Sequence, residues 1–136
     1  APLTPMTNGL LAIYYGKPYE KATEHADSKL YNAFKREGIA GLKNSYQQMV
    51  SEGNTPRERS LNYFGYELMQ MDQLDAAITV FELNNQSYPD SANTFDSLGE
   101  AYLAAGDKQK ALASYKSALK LNPDSESAKH AIEKLQ

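Results

Sequence analysis

Cysteine is absent from this 136-residue chain, as is tryptophan. Without a thiol there is no disulfide staple and no thiolate chemistry, and the chain suits cytoplasm and periplasm alike. Histidine occurs only at 25 and 130, in opposite terminal regions. With no His-x-x-x-His pair, the spacing of a structural zinc site is missing. No block of one charge sign is present, and the formal net charge is −3. That balance excludes the basic footprint of a general nucleic-acid binder. No apolar run reaches membrane-spanning length, and no signal peptide is recognisable. Gly-x-Gly-x-x-Gly and phosphate-loop patterns are missing, and no cofactor is implied. Acidic pairs such as Asp72 and Asp75 suit a helix N-terminus, where carboxylates complement the dipole, better than they suit catalysis.

What the chain does have is a period. Leu61, Phe64, Gly65 and Leu68 are followed by Ala77, Phe81, Asn84 and Pro89. The same order returns 34 positions later as Phe95, Leu98, Gly99 and Tyr102, then Ala111, Tyr115, Ala118 and Pro123. Pro89-Asp90-Ser91 recurs as Pro123-Asp124-Ser125. Within each unit the apolar residues fall on two helical stripes, so each unit is a pair of amphipathic helices. Ala77 with Ile78 and Phe81, matched by Ala111 with Leu112 and Tyr115, makes the second stripe. Gly inside a helix costs about 1 kcal/mol relative to Ala, so Gly65 and Gly99 call for a packing reason. The expectation is a close helix crossing that a side chain would hold apart.

Helix punctuation agrees. Thr55-Pro56-Arg57-Glu58 reads as a capping box with Pro at the first helical position. Gly106-Asp107 reads as a helix stop followed by the next N-cap, and Asp72 holds the place of Gly106 one period earlier. Asp90 or Ser91, and Asp124 or Ser125, cap the helices that follow. Pro89 and Pro123 end the units.

A fixed period of this length with these residue types resembles a tetratricopeptide (TPR) array. The implied fold is all-α, a short right-handed solenoid of antiparallel helix pairs occupying residues 23–136. Its repeats are 58–91 and 92–125. Residues 24–54 form an atypical first repeat or an unrelated helical hairpin packed on the array. There Leu30 and Phe34 share a face, Gly38 breaks the helix, and Ile39, Leu42, Tyr46 and Val50 line the next one. Gly53-Asn54 closes that segment. A terminal helix over 125–136 covers the last apolar surface with Ala128, Ile132 and Leu135, and turns Lys129, Glu133 and Lys134 to solvent.

Residues 1–22 carry none of the pattern. Pro2 and Pro5 favour an extended start, and Gly9 to Gly16 reads as one or two helical turns or a short apolar strand. The run Ile13-Tyr14-Tyr15-Gly16-Lys17-Pro18-Tyr19-Glu20 resembles the segment that follows the catalytic domain in serine hydrolases of the β-lactamase/penicillin-binding family. Leu61-Asn62-x-x-Gly65-Tyr66-x-Leu68 and the string from Tyr88-Pro89-Asp90-Ser91 through Gly99-Glu100-Ala101-Tyr102 are similar to the TPR-like C-terminal extension of exported bacterial members. The start at Ala1 rather than Met suggests a processed product or a fragment of something longer, and the resemblance implies 1–22 as the junction from an upstream domain and a periplasmic or otherwise exported location. The family's catalytic motifs are not in this chain. Ser117-x-x-Lys120 matches one by spelling, yet it falls on the polar side of a repeat helix, and no Lys-Thr-Gly occurs. A catalytic Ser needs a base within reach and an oxyanion hole.

Function therefore moves from chemistry to binding. In TPR arrays the first helix of each repeat lines a concave groove. By position, the groove residues are Arg59, Asn62, Tyr66 and Met69, then Asn93, Asp96, Glu100 and Leu103, with Asn32 and Lys35 from the atypical repeat. Amides, a Tyr and a Met suit peptide recognition. Asp96 and Glu100 stand where a carboxylate clamp wants neutral or positive groups, so a neutral or basic peptide fits better than an acidic tail. The alternatives are a solvated face with no ligand, a self-association domain, or an appendage packed on the upstream hydrolase domain.

Overall fold

The computed structural model describes residues 26–136, and the segment 1–25 lies outside the described residues, including the junction run and His25. The described part is all-α: α1 (Ala26–Ser51), α2 (Glu58–Gln70), α3 (Leu74–Ser87), α4 (Ala92–Ala104), α5 (Lys108–Leu121) and α6 (Glu126–Leu135). Helices α2 with α3, and α4 with α5, are the two repeats. Three-residue turns join each pair.

Those turns are one structure built with two residue types. Gly106 has φ 84° and Asp72 has φ 62°, both in the left-handed region. In each turn the next amide reaches back over the helix end, Gln73 N to Leu68 O and Asp107 N to Tyr102 O, both at 2.9 Å. Such reach-back bonds satisfy the helix's last carbonyls. Asp tolerates the left-handed region better than most side chains, so the turn survives the loss of glycine. Asp107 then caps α5 by accepting from Lys110 N at 3.0 Å. Ser125 caps α6 in the same way, from Ala128 N.

The start of α2 departs from expectation. It begins at Glu58 with Arg57 in the cap position, and no side chain caps it. Pro56 is therefore outside the helix and Thr55 makes no capping box. What holds this end is the far end of α3. Asn84 Nδ2 donates to Glu58 O at 3.0 Å, and the Tyr88 hydroxyl donates to Pro56 O at 2.6 Å. Glu58, freed from capping, instead accepts from Ser91 Oγ at 2.7 Å. Ser91 thus occupies the cap position of α4 while its hydroxyl serves the neighbouring repeat.

Gly65 and Gly99 sit where the sequence asks for close crossings. A Cβ on Gly65 would collide with three ring carbons of Phe81, and one on Gly99 would lie 2.9 Å from Tyr115 Cε2. The aromatic ring of the second helix packs directly on the bare backbone of the first. Around Phe81 lies a core of Leu30, Leu42, Leu61, Leu68, Val80 and Leu98. A smaller cluster of Ala111, Tyr115, Ala118 and Ala128 is closed by Ile132 and Leu135 of α6. The terminal helix therefore covers the array with the predicted residues.

Helix α1 is two helical segments joined at a kink without an intervening loop. Its two halves meet at Gly38, the single non-helical residue, with φ 71° and ψ −157°. The bend brings Gly41 against Ala33 O and Glu37 Cβ. Beyond it, Leu42, Tyr46 and Met49 are buried. Val50, predicted on that face, is 40% exposed. The buried row runs 42, 46, 49, so the helix presents position 49 inward and 50 falls off the stripe. The Tyr46 hydroxyl anchors this half to α3 through Leu83 O and Ser87 Oγ.

Candidate functional site

The first helices of the two repeats, α2 and α4, carry eight of the ten predicted groove residues, and α6 lies beside them as the next helix of the row. Polar side chains one period apart meet there. The Tyr66 hydroxyl donates to Glu100 Oε1 at 2.5 Å, a pair separated by the repeat length. It also lies 3.1 Å from Ser97 Oγ. Ser97 donates to Asn62 Oδ1 at 2.5 Å. Two contacts tie Ser127 Oγ of α6 to the Asp96 carboxylate, at 3.3 and 3.2 Å. Asn93 Nδ2 reaches Glu58 Oε2 at 3.4 Å. The face is thus stitched from helix to helix by hydroxyl–carboxylate and hydroxyl–amide bonds.

Its electrostatics are negative at the centre. Burial raises the Asp96 carboxyl; the Ser127 bond pulls the other way, and neighbouring Glu100 adds to the rise. Burial likewise raises the Tyr66 phenol, and the bond to Glu100 raises it further. Tyr115 is pushed up to about 12 by burial, then by the charges of Asp96 and Glu100. Asp96 and Glu100 are one helical turn apart and have no cation within ion-pair distance among the described residues. Lys129–Glu126 at 3.6 Å is the one ion pair among the described residues.

The ten predicted residues divide by behaviour. Asn62, Tyr66 and Glu100 are brought together through Ser97, and Asp96 is held on the same face by Ser127. Met69 is half-buried against the core. Arg59, Asn93 and Leu103 are exposed along the edge. Asn32 and Lys35 belong to α1, where the Lys35 ammonium sits 5.2 Å over the Tyr31 ring. They do not join the polar network. Ser97, Ser127 and Glu58 were missed by the sequence reading. The signal for them was available, since each lies 31–35 residues from its partner, close to the period itself. Ser117 is half-buried and Lys120 exposed on α5. Among the described residues no cluster of His, Asp and Glu is arranged to hold a metal ion, and no helix is long and apolar enough to cross a membrane.

This architecture is an all-α helical solenoid of TPR type. Residues 92–125, the second repeat as delimited above, match the family model described as tetratricopeptide repeat. A curated relative, the protein CTR9 homolog of Arabidopsis thaliana, is 33% identical over 81 residues, covering 57% of this chain and 7% of that protein's length. The first TPR of Spaghetti (RPAP3) bound to the HSP90 peptide SRMEEVD has a similar structure. Its TM-score is 0.56 at 15% identity, over 80% of this chain and 86% of that one. The Sgt2 TPR domain from Aspergillus fumigatus superposes with a TM-score of 0.57 at 19% identity, over 88% and 78%. At these identities the two structures establish the fold.

Proposed function

We propose that the chain is a non-catalytic protein-interaction module whose α2–α4–α6 face takes a neutral or basic peptide. The observation that carries this is the Asp96–Glu100 pair: two carboxylates one turn apart on the shared face, without a cationic partner among the described residues. A lysine or arginine of a ligand relieves their mutual repulsion, whereas a carboxylate adds to it. The HSP90 peptide seen on the RPAP3 domain, with Glu-Glu and Asp near its end, would meet like charge here. Asn62, Arg59 and Asn93 offer polar groups for the peptide backbone. Two repeats make a short face, so affinity for a free peptide is modest.

Fluorescence anisotropy with a lysine-rich and a glutamate-rich peptide of equal length tests this reading. The basic peptide binds, binding weakens with salt, and the double variant Asp96→Asn with Glu100→Gln loses it. Tighter binding of the acidic peptide overturns the assignment.

A second reading is favoured by the internal bonds of that same face. Where Tyr66, Asn62 and Asp96 spend their polar groups on α4 and α6, they stiffen the solenoid without a ligand, as in an appendage packed on another domain or on a second copy. We further propose that the host is an exported serine hydrolase of the β-lactamase/penicillin-binding family, with this chain as its C-terminal part. The support is the likeness of residues 13–20 and 88–102 to that family's junction and extension. Reading the upstream coding sequence for a Ser-x-x-Lys and a Lys-Thr-Gly-like motif decides it, and their absence removes the host.

A further inference from the structure

We propose that α1 is an exchange arm hinged at Gly38. Bent, its first half, 26–37, packs on its own α2. Straight, it packs on the α2 of a second copy, which returns its own arm. The bend rests on one residue. Of the 26 residues of α1, Gly38 has the non-helical dihedrals, φ 71° and ψ −157°. That region is essentially closed to any residue with a Cβ. The two repeats part their helices differently, through turns over 71–73 and 105–107. At Gly38 two helical segments meet with no residue between them, so rotation about this one residue merges them into a continuous helix.

Gly41 serves the same bent state. A Cβ there would stand 2.6 Å from Glu37 Cβ and 2.7 Å from Ala33 O. Positions 33 and 41 lie about 12 Å apart along a straight helix, so the approach to Ala33 exists only in the bend. Both glycines are needed bent and neither is needed straight, where Gly is a poor helix former. Around a Cβ at Gly38 the space is open, so backbone geometry, not packing, opposes a side chain there. Straightening alone would strip the arm of its contacts. Leu30 and Ala33 are buried, and the Tyr31 ring meets Phe64 edge-on at 6.4 Å. Eight residues of straight helix carry Leu30 about 12 Å beyond Gly38, away from that core. Two straight arms that cross over restore the burial, each giving the other's α2 the contacts it lost. The exchange is reciprocal, as a twofold pair requires. Protein concentration and the residue at 38 then set the balance between the two forms.

The absence of native cysteine makes a clean test. Ser28 of the arm and Met71 beyond α2 line one groove. The full chain with Ser28→Cys and the full chain with Met71→Cys are refolded together from urea and treated with a short bis-maleimide. Peptide mass spectrometry then reads the link between positions 28 and 71. With Gly38→Ala in both chains, light scattering should give a dimer, and the link between copies should exceed that of the native hinge several-fold. With the native hinge the link between copies should rise with the concentration at refolding. A single chain carrying both cysteines and the native hinge, refolded dilute, should link within one copy. A folded Gly38→Ala monomer overturns the proposal, as does a dimer whose 28–71 link stays within each copy. Should Gly38→Ala fail to fold, the native hinge decides alone: no link between copies after refolding at high concentration overturns the exchange as well.

Discussion

Gly65 and Gly99 each lie against an aromatic ring of the next helix, but the two rings leave different room. Phe81 is wholly buried and boxed by the Tyr66 ring, edge-on at 5.1 Å between centroids. Tyr115 belongs to the smaller cluster near the C-terminus and stands slightly further from Gly99. Replacing helical Gly with Ala gains about 1 kcal/mol of propensity. Overpacking a tight core costs roughly 1–3 kcal/mol. For Gly65→Ala the clash wins, and a net loss of about 1–2 kcal/mol is expected. For Gly99→Ala the effects nearly cancel, because the Tyr115 ring needs to yield only a few tenths of an ångström. Gly99→Leu, with no such accommodation, loses several kcal/mol. Urea midpoints of the three variants check the order. Equal midpoints for the two Ala variants would contradict the ring-contact account.

Among the elements, α6 shows most directly what a terminal helix does. It buries Ala128 and packs Ile132 and Leu135 against the cluster that contains Ala111, Tyr115 and Ala118. At about 1.5–3 kcal/mol for a fully buried large aliphatic side chain, two partly buried ones contribute roughly 2–3 kcal/mol together. Truncation after Asn122 should raise dye binding to apolar surface and melt α5 before α2 and α3, since a solenoid's coupling is to nearest neighbours. A truncated chain that stays soluble with full helicity and one unchanged melt would refute this role. The cap, the repeats and both inter-helix turns were legible in the sequence because they follow from residues at fixed offsets. The start of α2 was not. Its hold depends on Asn84 and Tyr88, some 26 and 32 residues away, while the local Thr55-Pro56-Arg57-Glu58 string spells a cap that the chain does not use. Likewise Gly38 was readable as a break, but the sharp turn without a loop was not, because it depends on what Gly41 and Ala33 do after they meet.

Over the whole molecule, the polar face was half legible. The repeat period named Tyr66, Asn62, Asp96 and Glu100, yet reading each helix alone hid that they bond across the period. The same network, with its counterparts on the outer side, gives the domain a distinctive alkaline limit. Burial raises Tyr46, Tyr66, Tyr102 and Tyr115 above the usual phenol value, Tyr115 to about 12. Glu100 adds to the rise at Tyr66, and Glu82, which accepts from the Tyr102 hydroxyl at 2.6 Å, does so at Tyr102. In the unfolded chain these phenols ionise near pH 10. Between pH 10 and 12 the folded state therefore holds more protons than the unfolded state, and stability falls as pH rises. Below pH 10 both states are protonated at these sites and the contribution is fully present. Absorbance of tyrosinate at 295 nm, followed with far-ultraviolet circular dichroism across that window, should show Tyr46, Tyr66, Tyr102 and Tyr115 ionising late, together with loss of ellipticity. A single step near pH 10 with the helices intact would mean that the Tyr66–Glu100 and Tyr102–Glu82 contacts do not hold their protons, and with them the stitching between repeats would fail.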